Sequence, residues 1–97
     1  MRFRSKKTER LYRQRRSLVA QLLDEYPVCQ RCNAARSTDV HEIKSRARGG
    51  SILDPVNLAC LCRQCHTFIT ENPKVALDEG WSRHSWDKFG TDWEGMP

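Results

Sequence analysis

Cys29-Gln30-Arg31-Cys32 and Cys62-Arg63-Gln64-Cys65 are two copies of one short pattern, and what they do together decides the fold. Each Cys-x-x-Cys turn presents two thiols on one side of a tight knuckle. Two such pairs close a tetrahedron of soft ligands that suits zinc and leaves no coordination position open. A site of that kind is structural; an iron–sulfur cluster or redox dithiols are the other uses of these residues. Residues 33–61 between the pairs form an insert longer than the usual ribbon spacing, so the metal would clip the ends of an insert together. Zinc binding at such sites supplies roughly 10–16 kcal/mol of apparent free energy. A chain of 97 residues, 38% of them apolar, lacks that much in burial alone.

The rest of the composition narrows the class. This length fits one small domain, which buries only about 60–65% of the surface its unfolded chain exposes. Five cysteines are an odd number, which argues for metal ligation in a reducing compartment rather than a disulfide framework. Cys60 is the odd one and, within the apolar run Leu58-Ala59-Cys60-Leu61, reads as a buried hydrophobe. No apolar run is long enough for a membrane span, and no apolar segment follows the basic N-terminus to act as a signal peptide.

A net charge of +5 and a pI near 9.2 point to a polyanionic partner. The charge is unevenly placed. Residues 1–16 hold Arg2, Arg4, Lys6, Lys7, Arg10, Arg13, Arg15 and Arg16 against the single acid Glu9, a local charge of +7. Residues 17–77 carry +1 and residues 78–97 carry −3. Clustered like charge with so few acids suggests a partner rather than a merely solvated face.

Working outward, residues 5–26 lack Gly and Pro, and Leu11, Leu18, Val19, Leu22, Leu23 and Tyr26 recur at helical spacing. One long amphipathic helix is expected, packed through its second half, with its basic first half projecting into solvent or onto a partner, and stopped by Pro27. A short strand is expected at residues 39–44, then a loop through Gly49 and Gly50, a turn at Asp54 and Pro55, and a second strand at residues 58–61. The second knuckle should open a short helix carrying His66 and Ile69. Asn72 and Pro73 stop it and start another, ended by Gly80. Trp81, Trp86 and Trp93 lie in a tail of little periodicity and read as packing residues, and His84 reads as a surface side chain.

The insert holds Val40-His41-Glu42-Ile43-Lys44-Ser45-Arg46-Ala47-Arg48-Gly49-Gly50, followed by Asn57-Leu58 and by Leu61-Cys62-Arg63-Gln64-Cys65-His66. In the order of these residues, the Gly-Gly pair and the step from Asn57 to His66, it resembles the HNH endonuclease family, small ββα-metal nucleases. The likeness covers about residues 29–70. The following Ile-Thr-Glu-Asn-Pro-Lys-Val-Ala-Leu-Asp-Glu-Gly is similar to the ending of small phage and prophage members.

The resemblance implies an α+β fold: a ββα-metal (His-Me finger) element with a structural four-cysteine zinc site and a long N-terminal helix. Charge, periodicity and the shared motif together divide the chain into a basic helix at 1–26, a zinc-stapled HNH domain at 27–80 and an acidic Trp-containing tail at 81–97, the helix and the tail lying outside the shared motif. The resemblance implies a metal-dependent DNA endonuclease or nickase, serving phage DNA processing or packaging in a bacterial cytoplasm, with phage packaging proteins as further partners and no membrane. His41 and His66 are then ligands of a catalytic Mg2+, Mn2+, Ni2+ or Zn2+, distinct from the zinc on Cys29, Cys32, Cys62 and Cys65. Asn57 either approaches that ion or braces the strand loop. Arg46 and Arg48 are expected to contact phosphate. Glu42 stands where the family most often has its general-base His, and two roles are open to it: base, if its surroundings raise its pKa, or added ligand. Strand alternation points His41 and Glu42 to opposite faces unless the strand is bulged. The rival readings are a non-catalytic zinc module that binds nucleic acid and an accessory factor of a packaging machine.

Overall fold

The computed structural model describes residues 5–88. Helix α1 (Lys6–Glu25) is followed by strands β1 (Asp39–Glu42) and β2 (Leu58–Leu61), then helices α2 (Arg63–Glu71) and α3 (Pro73–Glu79). The architecture is α+β, as expected. Ser5 caps α1, its Oγ accepting the Thr8 N–H at 3.1 Å. The helix closes with the Tyr26 N–H on the Leu22 carbonyl at 2.8 Å, immediately before Pro27. Trp93 lies outside the described residues.

The two strands pair antiparallel without a bulge: Asp39 with Leu61, Val40 with Cys60, His41 with Ala59, Glu42 with Leu58. Alternation divides this small sheet between two cores. Leu58 and Cys60, with Val40, pack against Leu18, Leu22 and Leu23 of α1. Ala59 and Leu61 pack on the other face with Ile69 of α2, Ala76 of α3 and the cysteines, joined by Ile43 and Trp81. Cys60 is 1% exposed, as a buried hydrophobe should be. Its backbone N–H and carbonyl both go to Gln30, at 2.6 and 2.9 Å, which fastens the first knuckle to the outer edge of β2.

β1 is shorter than expected because Asn57 takes over its end. Asn57, fully buried, accepts the Lys44 N–H at 2.7 Å and donates to the carbonyls of Lys44 and Ser51 at 2.8 Å each. Of the two roles open to it, the structure shows the brace. Gly49 and Gly50 serve the same loop. Gly49 takes φ 93°, and a Cβ on Gly50 would fall 1.8 Å from the Lys44 carbonyl oxygen.

α2 begins with the second knuckle: Cys62 Sγ accepts the Cys65 N–H at 3.4 Å in the manner of an N-cap. Asn72 ends it, Pro73 opens α3, and Gly80 at φ 86° closes α3 with the Gly80 and Trp81 N–H groups on Leu77 and Ala76 carbonyls. Residues 81–88 then lie back on the sheet end, with the Arg83 N–H on the Ile43 carbonyl at 3.1 Å and Lys44 Nζ on the Asp87 carbonyl at 2.8 Å. Trp81 packs as expected, whereas Trp86 is 76% exposed and stacked on His84 with ring centroids 4.3 Å apart.

Gly50→Ala forces the loop backbone off Lys44, and Asn57→Ala removes three buried hydrogen bonds. Each should cost about 2–4 kcal/mol in urea unfolding of the zinc-loaded protein, with Gly49→Ala costing only about 1 kcal/mol.

Candidate metal sites and active site

The sulfur atoms of Cys29, Cys32, Cys62 and Cys65 all lie within 4.8 Å of one another. Four thiolates at about 2.3 Å from one tetrahedral zinc stand about 3.8 Å apart; Cys32 and Cys62 are at 3.9 Å. Donors surround the cluster. The Cys32 and Ala34 N–H groups approach Cys29 and Cys32 Sγ at 3.5 Å each, and Arg31 Nη1 reaches Cys65 Sγ at 3.5 Å. Arg31 also holds Glu79 of α3 through Nε and Nη2, at 2.9 and 3.2 Å, and lies over the Phe68 ring.

These surroundings separate the thiols. Burial alone would raise Cys29, but N–H groups of Cys32, Cys62 and Arg31 outweigh it and bring the thiol down to about 6. Cys65 is pushed up to about 12, first by burial and then by its neighbouring thiols, against the opposing Arg31. A cluster that cannot hold four negative charges unaided has the donor chemistry for a divalent soft cation.

A second constellation sits on the α2-facing side of β1. The zinc knuckle fixes where α2 starts, and His66, whose N–H reaches the Cys62 carbonyl at 3.0 Å, lies one turn into it. The His41 and His66 rings stand edge to face, centroids 5.2 Å apart. Two imidazoles sharing one tetrahedral cation at about 2.1 Å bring their centroids to roughly this distance. His41 Nε2 lies 2.6 Å from the Trp81 carbonyl, which can only accept, so Nε2 carries the proton and Nδ1 the lone pair. His66 is the reverse: Nδ1 donates to Asp39 Oδ2 at 2.8 Å, so in the neutral ring the lone pair is on Nε2. His41 titrates below the ordinary histidine value, chiefly through burial and also through His66, against the raising effects of the Trp81 carbonyl and Glu42. It is therefore neutral and able to ligate at pH 7.

The other sequence-derived residues divide. Glu42 accepts from Arg15 Nη2 of α1 and from the Arg46 N–H, both at 3.3 Å. It nonetheless shares with His41, Ser45, Arg48, Thr70 and Ser82 a cleft of about 260 Å³. Arg48 Nη1 donates to Ser82 Oγ and the Arg83 carbonyl at 3.1 and 2.9 Å. Arg46 points instead to α1, donating to Tyr12 Oη at 3.1 Å. The expected projection of the basic helix holds for Lys6, Lys7, Arg10, Arg13 and Arg16, all exposed, whereas Tyr12 and Arg15 are turned inward against the strand and loop.

Asp39, Arg15 and the Trp81 carbonyl were not singled out by sequence reading. Asp39 had a signal, since alternation puts it on the same face as His41. Arg15 had none, because its partner depends on how α1 crosses the sheet.

Two short antiparallel strands, a helix bearing a histidine against them and a four-thiolate staple define a zinc-stapled ββα-metal protein. Residues 28–71 match the HNH endonuclease family, a stretch that contains both knuckles, both strands, His41, His66 and α2. The matched segment is flanked by α1 and by residues 72–97, and the match supports a nuclease-type, nucleic-acid-related function. No curated protein and no solved structure matches the chain. Among the described residues, no helix is long and apolar enough to cross a membrane.

Elemental analysis should find about one tightly held zinc per chain, and stripping it with a chelator should unfold the protein in parallel by circular dichroism. Cys62→Ala, which removes a ligand and the α2 cap together, should abolish both zinc retention and cooperative folding.

Proposed function

We propose that the protein is a metal-dependent DNA endonuclease or nickase that hydrolyses phosphodiester bonds at the His41 and His66 site. The observation that carries this reading is the pairing of two imidazoles, 5.2 Å apart, whose hydrogen bonds leave one lone-pair nitrogen on each. Among the described residues the four cysteines are the only group of three or more candidate ligands packed closely enough for one ion. The histidines would thus supply two protein ligands and leave positions for water and phosphate. A divalent ion held there supplies charge stabilisation at the scissile phosphate. His41 and Glu42 line one cleft, so Glu42 stands within the region where an attacking water needs a base, and Arg48 at the same cleft provides a guanidinium for phosphate. Arg46 serves phosphate only by leaving Tyr12.

The three-part division follows this chemistry: residues 1–26 hold nucleic acid, 27–80 cut it, and 81–97 complete the site through Trp81. On α1, Lys6, Arg10 and Arg13 share one exposed face and suit a phosphate backbone without sequence preference. Phage DNA processing or packaging in a bacterial cytoplasm is the setting in which we place the activity.

One observation favours a second reading, a non-catalytic zinc module that binds nucleic acid. Glu42, which follows His41 where the family most often has its base, is held by Arg15 and the Arg46 N–H, contacts that engage its carboxylate oxygens rather than leave them for a water.

Supercoiled plasmid incubated with Mg2+, Mn2+ or Ni2+ separates the two. The nuclease reading expects nicking with at least one metal, reduced about 100-fold or more in His66→Ala, and reduced in Glu42→Ala. Retardation of intact plasmid with every metal establishes the binding module. Cleavage that survives His66→Ala rules out this site. In a separate salt titration, replacing Lys6, Arg10 and Arg13 with Gln should weaken binding of any DNA sequence and flatten the log–log salt slope by up to about 3.

A further inference from the structure

We propose that Asp39 is the positioning residue of the histidine site: it holds His66 in one ring orientation and one tautomer, so that Nε2 is the nitrogen offered to a divalent cation. The inference rests on the nuclease reading above and deepens it. Asp39 stands two residues before His41 on the same face of β1, opposite the first turns of α2. Its carboxylate is 10% exposed and receives His66 Nδ1–H at 2.8 Å. Arg63 Nε meets the same oxygen at 3.1 Å, and Thr38 Oγ1 donates to the other at 3.1 Å. Both oxygens are therefore occupied by donors from the protein, and the carboxylate acts on a cation through the imidazole rather than as a ligand.

A charge-assisted hydrogen bond in these surroundings is short and directional. Without it, the His66 ring could rotate about its side-chain bonds and exchange tautomers, placing a proton on the nitrogen that must ligate. With it, the ring is fixed and Nε2 is the nitrogen turned away from the carboxylate, the orientation a carboxylate imposes on metal-bound histidines generally. The two ends of the arrangement come from distant segments: β1 brings Asp39 and His41 together, and the thiolate staple sets the turn of α2 that brings His66 to them.

The test uses the full-length, zinc-loaded protein and Mn2+, a hard cation that does not compete for four thiolates. Free Mn2+ is followed by electron paramagnetic resonance for wild type, Asp39→Asn, Asp39→Ala and His66→Ala, and histidine tautomers are read from 15N shifts of the Mn2+-free proteins. Asp39→Ala should weaken Mn2+ binding about 10–100-fold and give a mixture of His66 tautomers. Asp39→Asn, which keeps an acceptor oxygen at the same place, should retain the Nδ1–H tautomer and bind closer to wild type. If His66→Ala abolishes Mn2+ binding while Asp39→Ala binds like wild type, the role given to Asp39 is wrong and the nuclease site stands. If wild type binds no Mn2+, or His66→Ala binds it equally well, the site reading falls. An Asp39→Asn protein as defective as Asp39→Ala, with its tautomer unchanged, makes Asp39 a ligand and overturns the positioning role. Should Asp39→Ala fail to fold, the wild-type 15N spectrum decides alone: His66 found as the Nε2–H tautomer refutes the proposal.

Discussion

Four cysteine sulfurs gathered within 4.8 Å of one another, placed to hold one cation, tie the rest of this structure together. The first knuckle leaves α1 and hangs on the outer edge of β2 through Gln30 and Cys60; the second ends β2 and caps α2. Joining them fixes the helix that carries His66 relative to the strands that carry His41. Apolar burial alone is poorly suited to this task. The core on the α2 side is small and is built partly of the cysteines themselves, so loss of the metal removes packing and cross-link together.

The two-stranded sheet does its work by having two different faces. Residues 39, 41 and 43 turn towards α2, α3 and Trp81, and residues 40 and 42 turn towards α1. The chemistry is divided in the same way. Imidazoles and the Asp39 carboxylate collect on one side, while Glu42 is fastened to the basic helix on the other and still lines the shared cleft. Arg15 thereby couples the basic helix to the strand residue that follows His41. The contact is a partly buried ion pair, held where both side chains have already lost much of their solvation.

Much was legible along the chain because it is local. The end of α1 at Pro27, the opening of α2 at the second knuckle, the Pro73 start and Gly80 end of α3, and the burial of Cys60 are written in short-range rules of fixed φ and apolar pattern. The HNH motif likewise placed His41, His66 and the Gly-Gly loop in order. Asn57 was readable as important but not as to role. Its amide could serve an ion or a loop, and only the positions of Lys44 and Ser51 decide for the loop.

The sequence by itself determined the four-cysteine staple and the order of strands and helices, since spacing and residue type suffice for these. Tertiary structure alone decided that Asp39 would hold His66, that the Trp81 carbonyl would set the tautomer of His41, and that Arg15 and Arg46 would turn to Glu42 and Tyr12 rather than to solvent. The reason is range. A hydrogen bond is settled by tenths of an ångström between groups tens of residues apart, and those distances are fixed only when the staple, both cores and the Asn57 brace close together.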